Sequence, residues 1–155
     1  MTDTDLATET PTTTVTPSLA LRSHYIKDLS FESPRAPLSL FTTRETPNVE
    51  VNVNMAAQRL EPQAVELSFQ ITVRAMAENA ALFLVDLTYG GILEIRNLPE
   101  ENLEEAVFVG GAQALFPFAR RVIADVTRDG SFPPIMLEPM DFISMYKNQK
   151  IVARQ

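Results

Sequence analysis

"AVELSFQITVRAMA" (64–77) and "LFLVDLTYGGILEI" (82–95) are the two runs whose reading decides the fold. In the first, Val65, Leu67, Phe69, Ile71 and Val73 alternate with Glu66, Ser68, Gln70, Thr72 and Arg74. Successive side chains leave a strand on opposite faces, so a period of two means one face in a core and one in water. In the second run Phe83, Val85, Leu87 and Tyr89 share a side, and Leu82, Leu84, Asp86 and Thr88 share the other. Glu78, Asn79 and Ala80 lie between the runs, which predicts an antiparallel hairpin. The Gly90-Gly91 pair predicts a bulge or sharp bend before Ile92 to Ile95.

Working outward, "VEVNVNM" (49–55) sets Val49, Val51, Val53 and Met55 against Glu50, Asn52 and Asn54. A further strand is expected from about Leu21 to Phe31, with Tyr25, Leu29 and Phe31 on one face and Asp28, Ser30 and Glu32 on the other. Pro34 and Pro37 remove backbone donors and end it. After "NLPEEN" (97–102) the period becomes helical. Pro99 suits a first turn, and Glu100, Glu101, Glu104 and Glu105 complement the positive end of the helix dipole. Leu103, Val107, Ala114, Leu115, Phe118, Val122 and Val126 form the expected buried stripe, with a stop at Gly130. Pro117 predicts a kink near Ala114 to Leu115, and Gly110-Gly111 predicts close approach of another helix or subunit. "SFPPIMLEP" (131–139) reads as a loop before a shorter helix from Met140 to about Lys150. Four strands followed by two helices predict an α+β protein: a four-stranded antiparallel sheet with a long kinked helix and a shorter C-terminal helix on one face. The other face is left to water or to partners.

The chain has 155 residues, the size of one domain. Its opening "MTDTDLATETPTTTVTP" has almost nothing to bury, so 1–19 is expected to be a disordered tail, 20–152 a single domain and 153–155 a flexible end. A net charge of −7 and a pI near 4.7 favour a basic partner over nucleic acid or an anionic membrane. Without cysteine there is no disulfide framework, thiolate site or thiol nucleophile, which fits the cytoplasm. The N-terminus carries acids where a signal peptide needs cations, and Asp86 and Glu94 interrupt the longest apolar runs, so neither export nor membrane insertion is expected.

No catalytic constellation is legible. His24 has no ligand-type neighbour and reads as a solvated residue rather than a base or metal ligand. Asp28 and Glu32 share a strand face but are about 13 Å apart at ~3.3 Å per residue. That is too far for a carboxylate pair working within about 10 Å of one another. They form either a solubilising face or a dock for a cation-rich partner. Phe108 and Phe116 fall off the helical stripe, and Met136, Met140 and Met145 adapt to varied shapes. Together they suggest an exposed apolar groove for unselective binding.

The residues "YIKDLSFESPRAP" (25–37), "GGI" (90–92) and "LFPFARRVIADVTRDGSFPPIMLEPMDF" (115–142), in this order and spacing, resemble SecB, the bacterial export chaperone family. The resemblance spans about Ser23 to Phe142. It implies the same sheet-and-helix fold, a dimer of dimers, and an ATP-independent holdase, not an enzyme and without cofactor or metal. Such a protein keeps precursors unfolded and delivers them to the motor SecA. By resemblance Asp28, Glu32, Asp86 and the apolar Leu84 contact the zinc-binding, basic C-terminal tail of SecA. Phe41, Phe132, Met136 and Met140 are implied substrate-groove residues, and Val85, Leu87 and Tyr89 lie at an oligomer interface or in the core. Four linked copies would add avidity to weak, unselective contacts. The competing readings are a SecB-like chaperone of a toxin-antitoxin system and a small enzyme or carrier using the sheet–helix crevice.

Overall fold

A sheet needs strands that can cover one another, and here the four alternating runs extend into strands of similar length. They are β1 (Ser18–Glu32), β2 (Asn48–Glu61), β3 (Ala64–Ala77) and β4 (Ala80–Arg96), antiparallel in the order β1-β4-β3-β2. The computed structural model describes residues 15–153, with side chains as far as Asn148. The expected tail therefore lies outside the described residues over 1–14, as do Arg154 and Gln155. Ser18 and Leu19, placed in that tail from sequence, belong to β1 opposite Arg96 and Ile95. Leu19 packs on the core, which supplies the burial that orders them.

The hairpin between β3 and β4 turns on two residues, Glu78 and Asn79, both with positive φ (54° and 60°). Such a turn matches the twist of the flanking strands. Val65, Leu67, Phe69, Ile71 and Val73 are buried on the side that faces the helices. Phe69, fully buried, meets Phe116 and Phe142 at ring separations of 5.7 and 5.8 Å.

A long helix (Glu100–Asp129) and a C-terminal helix (Phe142–Ala153) cover this face. The long helix is long and apolar enough to cross a membrane by composition, and its apolar side packs on the sheet. Its buried residues include Ala112, Leu115, Phe116, Ala119, Ile123 and Thr127, which recur at helical spacing. This corrects the stripe read from sequence. Phe116 is in the core while Phe118 is 37% exposed and Ala114 is exposed. The cause is a π-helical segment, Ala106–Gly111, whose wider turn shifts the phase of everything after it. The departure from α geometry falls in that segment, and the helix is α-helical from Ala112 to Asp129 with Pro117 inside it.

The glycines also differ from expectation. β4 runs unbroken through Gly90 and Gly91 with continuous pairing to β3 and β1. A Cβ on Gly90 would lie 2.8 Å from the Tyr25 ring, and one on Gly91 2.8 Å from both Leu115 and Leu21. They are small so that neighbours can cross them, one on each face. Gly111 does the same for the sheet, since its Cβ would meet Leu93 at 2.5 Å; the element that approaches is β4, not a second helix. The C-terminal helix begins at Phe142, after Asp141, whose carboxylate accepts from the Ser144 N–H at 3.1 Å.

Two register shifts in β1, between Leu21 and Ser23 and between Ile26 and Asp28, reassign its faces. Tyr25, expected beside Leu29 and Phe31, lies instead on the outer face opposite Gly90, while His24 and Ile26 take the helix side opposite Gly91 and Tyr89. A shift between Ala75 and Met76 likewise buries Leu82, expected on the outer face.

Candidate functional site

The outer face of the sheet is divided by charge. At one end its acids are neutralised within the chain. The Tyr25 hydroxyl donates to Glu66, and Lys27, carried outward by the bulge, places Nζ 2.9 Å from Glu66 Oε1. Burial of the Tyr25 phenol, then its hydrogen bond to Glu66 and that carboxylate's charge, pushes it up to about 12. Hydrogen bonds from Tyr25 and Lys27 hold Glu66 below the usual carboxylate range. Glu94 is bound by Arg22 at 2.8 Å and Arg96 at 2.6 Å.

At the other end the acids are unpaired. Asp28, Glu32 and Asp86 are exposed, and none has an ion pair among the described residues. Register explains their grouping: Ser30 faces Asp86, Glu32 faces Leu84, and Asp28 faces Thr88. Arg74, next across from Leu84, faces Glu50 on β2. Glu32, Glu50, Arg74, Leu84 and Asp86 line a shallow depression of about 480 Å³. Anionic rims around a half-buried leucine suit a cationic segment carrying one apolar side chain.

On the opposite side of the sheet a wider groove of about 780 Å³ runs beside the β2 edge. Val49, Val51 and Val53 form one wall, and Ile135, Met136, Leu137, Met140 and Met145 form the other. Apolar valines facing flexible thioethers give affinity without strict shape demands. Met136, 65% exposed, and Met140 line this groove. Phe132 does not line it. Its ring packs at a tilt 4.7 Å from Phe83 and 6.5 Å from Phe31, anchoring the loop from behind. Phe41 is also outside the lining. It sits on a short helix, Ser39–Thr42, and is 74% exposed, flanked by exposed Leu38 and Leu40. The valines of β2 were legible as a strand face but not as a groove wall, because which helix or loop stops short of them is a tertiary matter.

Val85, Leu87 and Tyr89 are buried against the helices. His24 is exposed yet partnered, its ring stacked 3.9 Å from Phe118 and its Nδ1 hydrogen-bonded to the Tyr89 hydroxyl at 2.6 Å.

Residues 12–153 match the family described as Preprotein translocase subunit SecB. The "Protein-export protein SecB" of Parvibaculum lavamentivorans is 42% identical over 134 residues, covering 86% of this chain and 79% of that protein. Its counterpart in Azorhizobium caulinodans is 40% identical over 145 residues, covering 94% and 91%. A SecB-like chaperone of Mycobacterium tuberculosis, solved with a ChAD peptide from an antitoxin, has the same fold at a TM-score of 0.64 and 18% identity, over 79% of this chain and 91% of that one. Matched along nearly its whole length by the family and by export proteins of this identity, the chain belongs to the SecB family of protein-export chaperones.

Proposed function

We propose that the protein is an ATP-independent holdase that binds unfolded precursors in the apolar groove and hands them to the SecA motor through the acidic outer face. The observation that carries this reading is the separation of the two surfaces: the groove beside Val49, Val51 and Val53 lies on the helix side of the sheet, and Asp28, Glu32, Leu84 and Asp86 lie on the other. A client and a motor can then be held at once. The SecA element in this reading is its basic, zinc-binding C-terminal tail, drawn by charge and seated on Leu84. The working form is a cytoplasmic homotetramer, a dimer of dimers in which four grooves raise the effective concentration of sites for one client. Holding a chain unfolded needs no catalytic step. A toxin-antitoxin partner is the weaker reading, because the likeness to the mycobacterial chaperone at 18% identity concerns the fold alone.

The test is refolding of a denatured precursor with and without excess protein and in the absence of nucleotide. Slowed refolding, together with capture of a SecA tail peptide, is expected; unchanged refolding at excess would sink the reading. Light scattering with and without the unfolded client tests the tetramer.

A further inference from the structure

We propose that Thr127 is the positioning residue that sets the wall of the client groove, an inference that rests on the holdase reading above. Thr127 is fully buried near the end of the long helix. Its hydroxyl turns back onto its own helix, 2.9 Å from the Ile123 carbonyl and 3.1 Å from that of Ala124, as buried threonines in helices do. That use alone would make it a local detail. The same oxygen, however, accepts the backbone N–H of Ile135 at 3.0 Å, eight residues further along, where the chain has left the helix.

The intervening sequence gives this bond its weight. Phe132 donates its N–H to the Thr127 carbonyl at 3.2 Å, and Pro133 and Pro134 then have no N–H at all. Ile135 carries the first backbone donor after the diproline, and Thr127 takes it. One helical residue therefore holds the loop at both ends of the proline pair. The Phe132 ring, packed on Phe83 and Phe31, fixes the loop from the sheet side. Gly130 has to be this small, since a Cβ there would overlap the Phe31 ring. Immediately beyond the anchor come Met136, Leu137 and Met140, the groove wall facing Val49, Val51 and Val53. A hydroxyl can donate and accept at once, whereas a valine of the same shape can do neither. Losing the acceptor leaves the Ile135 N–H without its partner and frees the wall to drift.

The experiment compares Thr127→Val, which keeps the shape and removes the oxygen, with Thr127→Ser, which keeps the oxygen and removes a methyl. The probe is a reduced, carboxymethylated polypeptide that cannot refold, with a cationic SecA tail peptide as the second ligand. Expected results are an affinity for the unfolded polypeptide lowered about tenfold in Thr127→Val and within about twofold of the parent in Thr127→Ser. Peptide binding should be unchanged in both, and amide exchange at Ile135 should be faster in Thr127→Val. A folded Thr127→Val that binds the polypeptide like the parent overturns the inference, and so does an equal loss in Thr127→Ser. Should Thr127→Val fail to fold, exchange in the parent decides. Protection of the Ile135 amide comparable to that of the long helix supports the anchor, and exchange at the rate of an open loop refutes it. If the parent itself does not bind the polypeptide, it is the holdase reading that fails and not the placing of Thr127.

Discussion

Lys27 and Asp28 are consecutive residues that both reach the outer face of the sheet, because the register shift in β1 adds a residue between Ile26 and Asp28. Only the lysine is engaged, 2.9 Å from Glu66, while Asp28 has no ion pair among the described residues. The bulge thus puts a cationic boundary next to an open acid. Asp28→Lys, Glu32→Lys or Asp86→Lys should each weaken binding of a cationic SecA tail peptide by about tenfold at low salt, with a smaller effect at high salt. Lys27→Ala should act in the opposite direction, tightening the peptide by about twofold as Glu66 becomes available. Titration calorimetry at two salt concentrations reads both, and client affinity should not move in any of them.

Burial of the Tyr25 phenol, together with its bond to Glu66, makes stability depend on pH at both extremes. Glu66 has a depressed carboxyl in the fold, so its contribution is complete above the ordinary value of 4.5 and is lost as pH falls through the lower folded value. Tyr25 is raised, so the folded chain keeps a proton that the unfolded chain releases near 10.0. Stability then declines between about 10 and about 12. Tyr25→Phe should flatten the alkaline decline, and Glu66→Gln should flatten the acid one. Urea midpoints measured across pH check both, and identical profiles in parent and variants would contradict the contact.

Gly110 and Gly111 are adjacent, but substitution should affect them with opposite sign. An added methyl at Gly111 meets Leu93 at 2.5 Å and Leu67 at 3.4 Å inside the core, so Gly111→Ala should cost about 1–3 kcal/mol. Gly110 is exposed and its nearest neighbour, Leu19, would be 3.6 Å away. Gly110→Ala should therefore stabilise by about 0.5–1 kcal/mol through the restricted unfolded chain. Equilibrium denaturation of the two variants separates them.

Met136 and Phe132 should likewise separate binding from stability. Met136→Asp places a charge in the groove at an exposed position, and should lower client affinity about tenfold while leaving the melting temperature near that of the parent. Phe132→Ala removes a ring packed on Phe83, and should cost about 2–4 kcal/mol of stability. Fluorescence anisotropy with an unfolded polypeptide, beside thermal melts, distinguishes the two patterns.

Much of the site was legible from sequence because strand parity is local. Asp28, Glu32 and Asp86 alternate with apolar residues, and the face they were assigned is the face they occupy. Met136 and Met140 were legible as residues that adapt to varied shapes. Tyr25 was not, because one extra residue at Lys27 inverts the faces from Ser23 to Ile26, until the second shift, between Leu21 and Ser23, restores them. Phe116 was missed for the equivalent reason in a helix: the π segment rotates the stripe, and no residue type announces a π turn.

Alternation, proline punctuation and charge, all short-range properties, were enough by themselves to determine four strands before two helices, the sheet's two unlike faces and the acidic character of one. Only the tertiary structure decided where the phase slips occur, which aromatic rings anchor loops instead of lining the groove, and that Gly90, Gly91 and Gly111 are small to admit neighbours instead of to bend the chain. The physical reason is that each of these depends on contacts between residues distant in sequence, whose close packing penalises even one misplaced methyl.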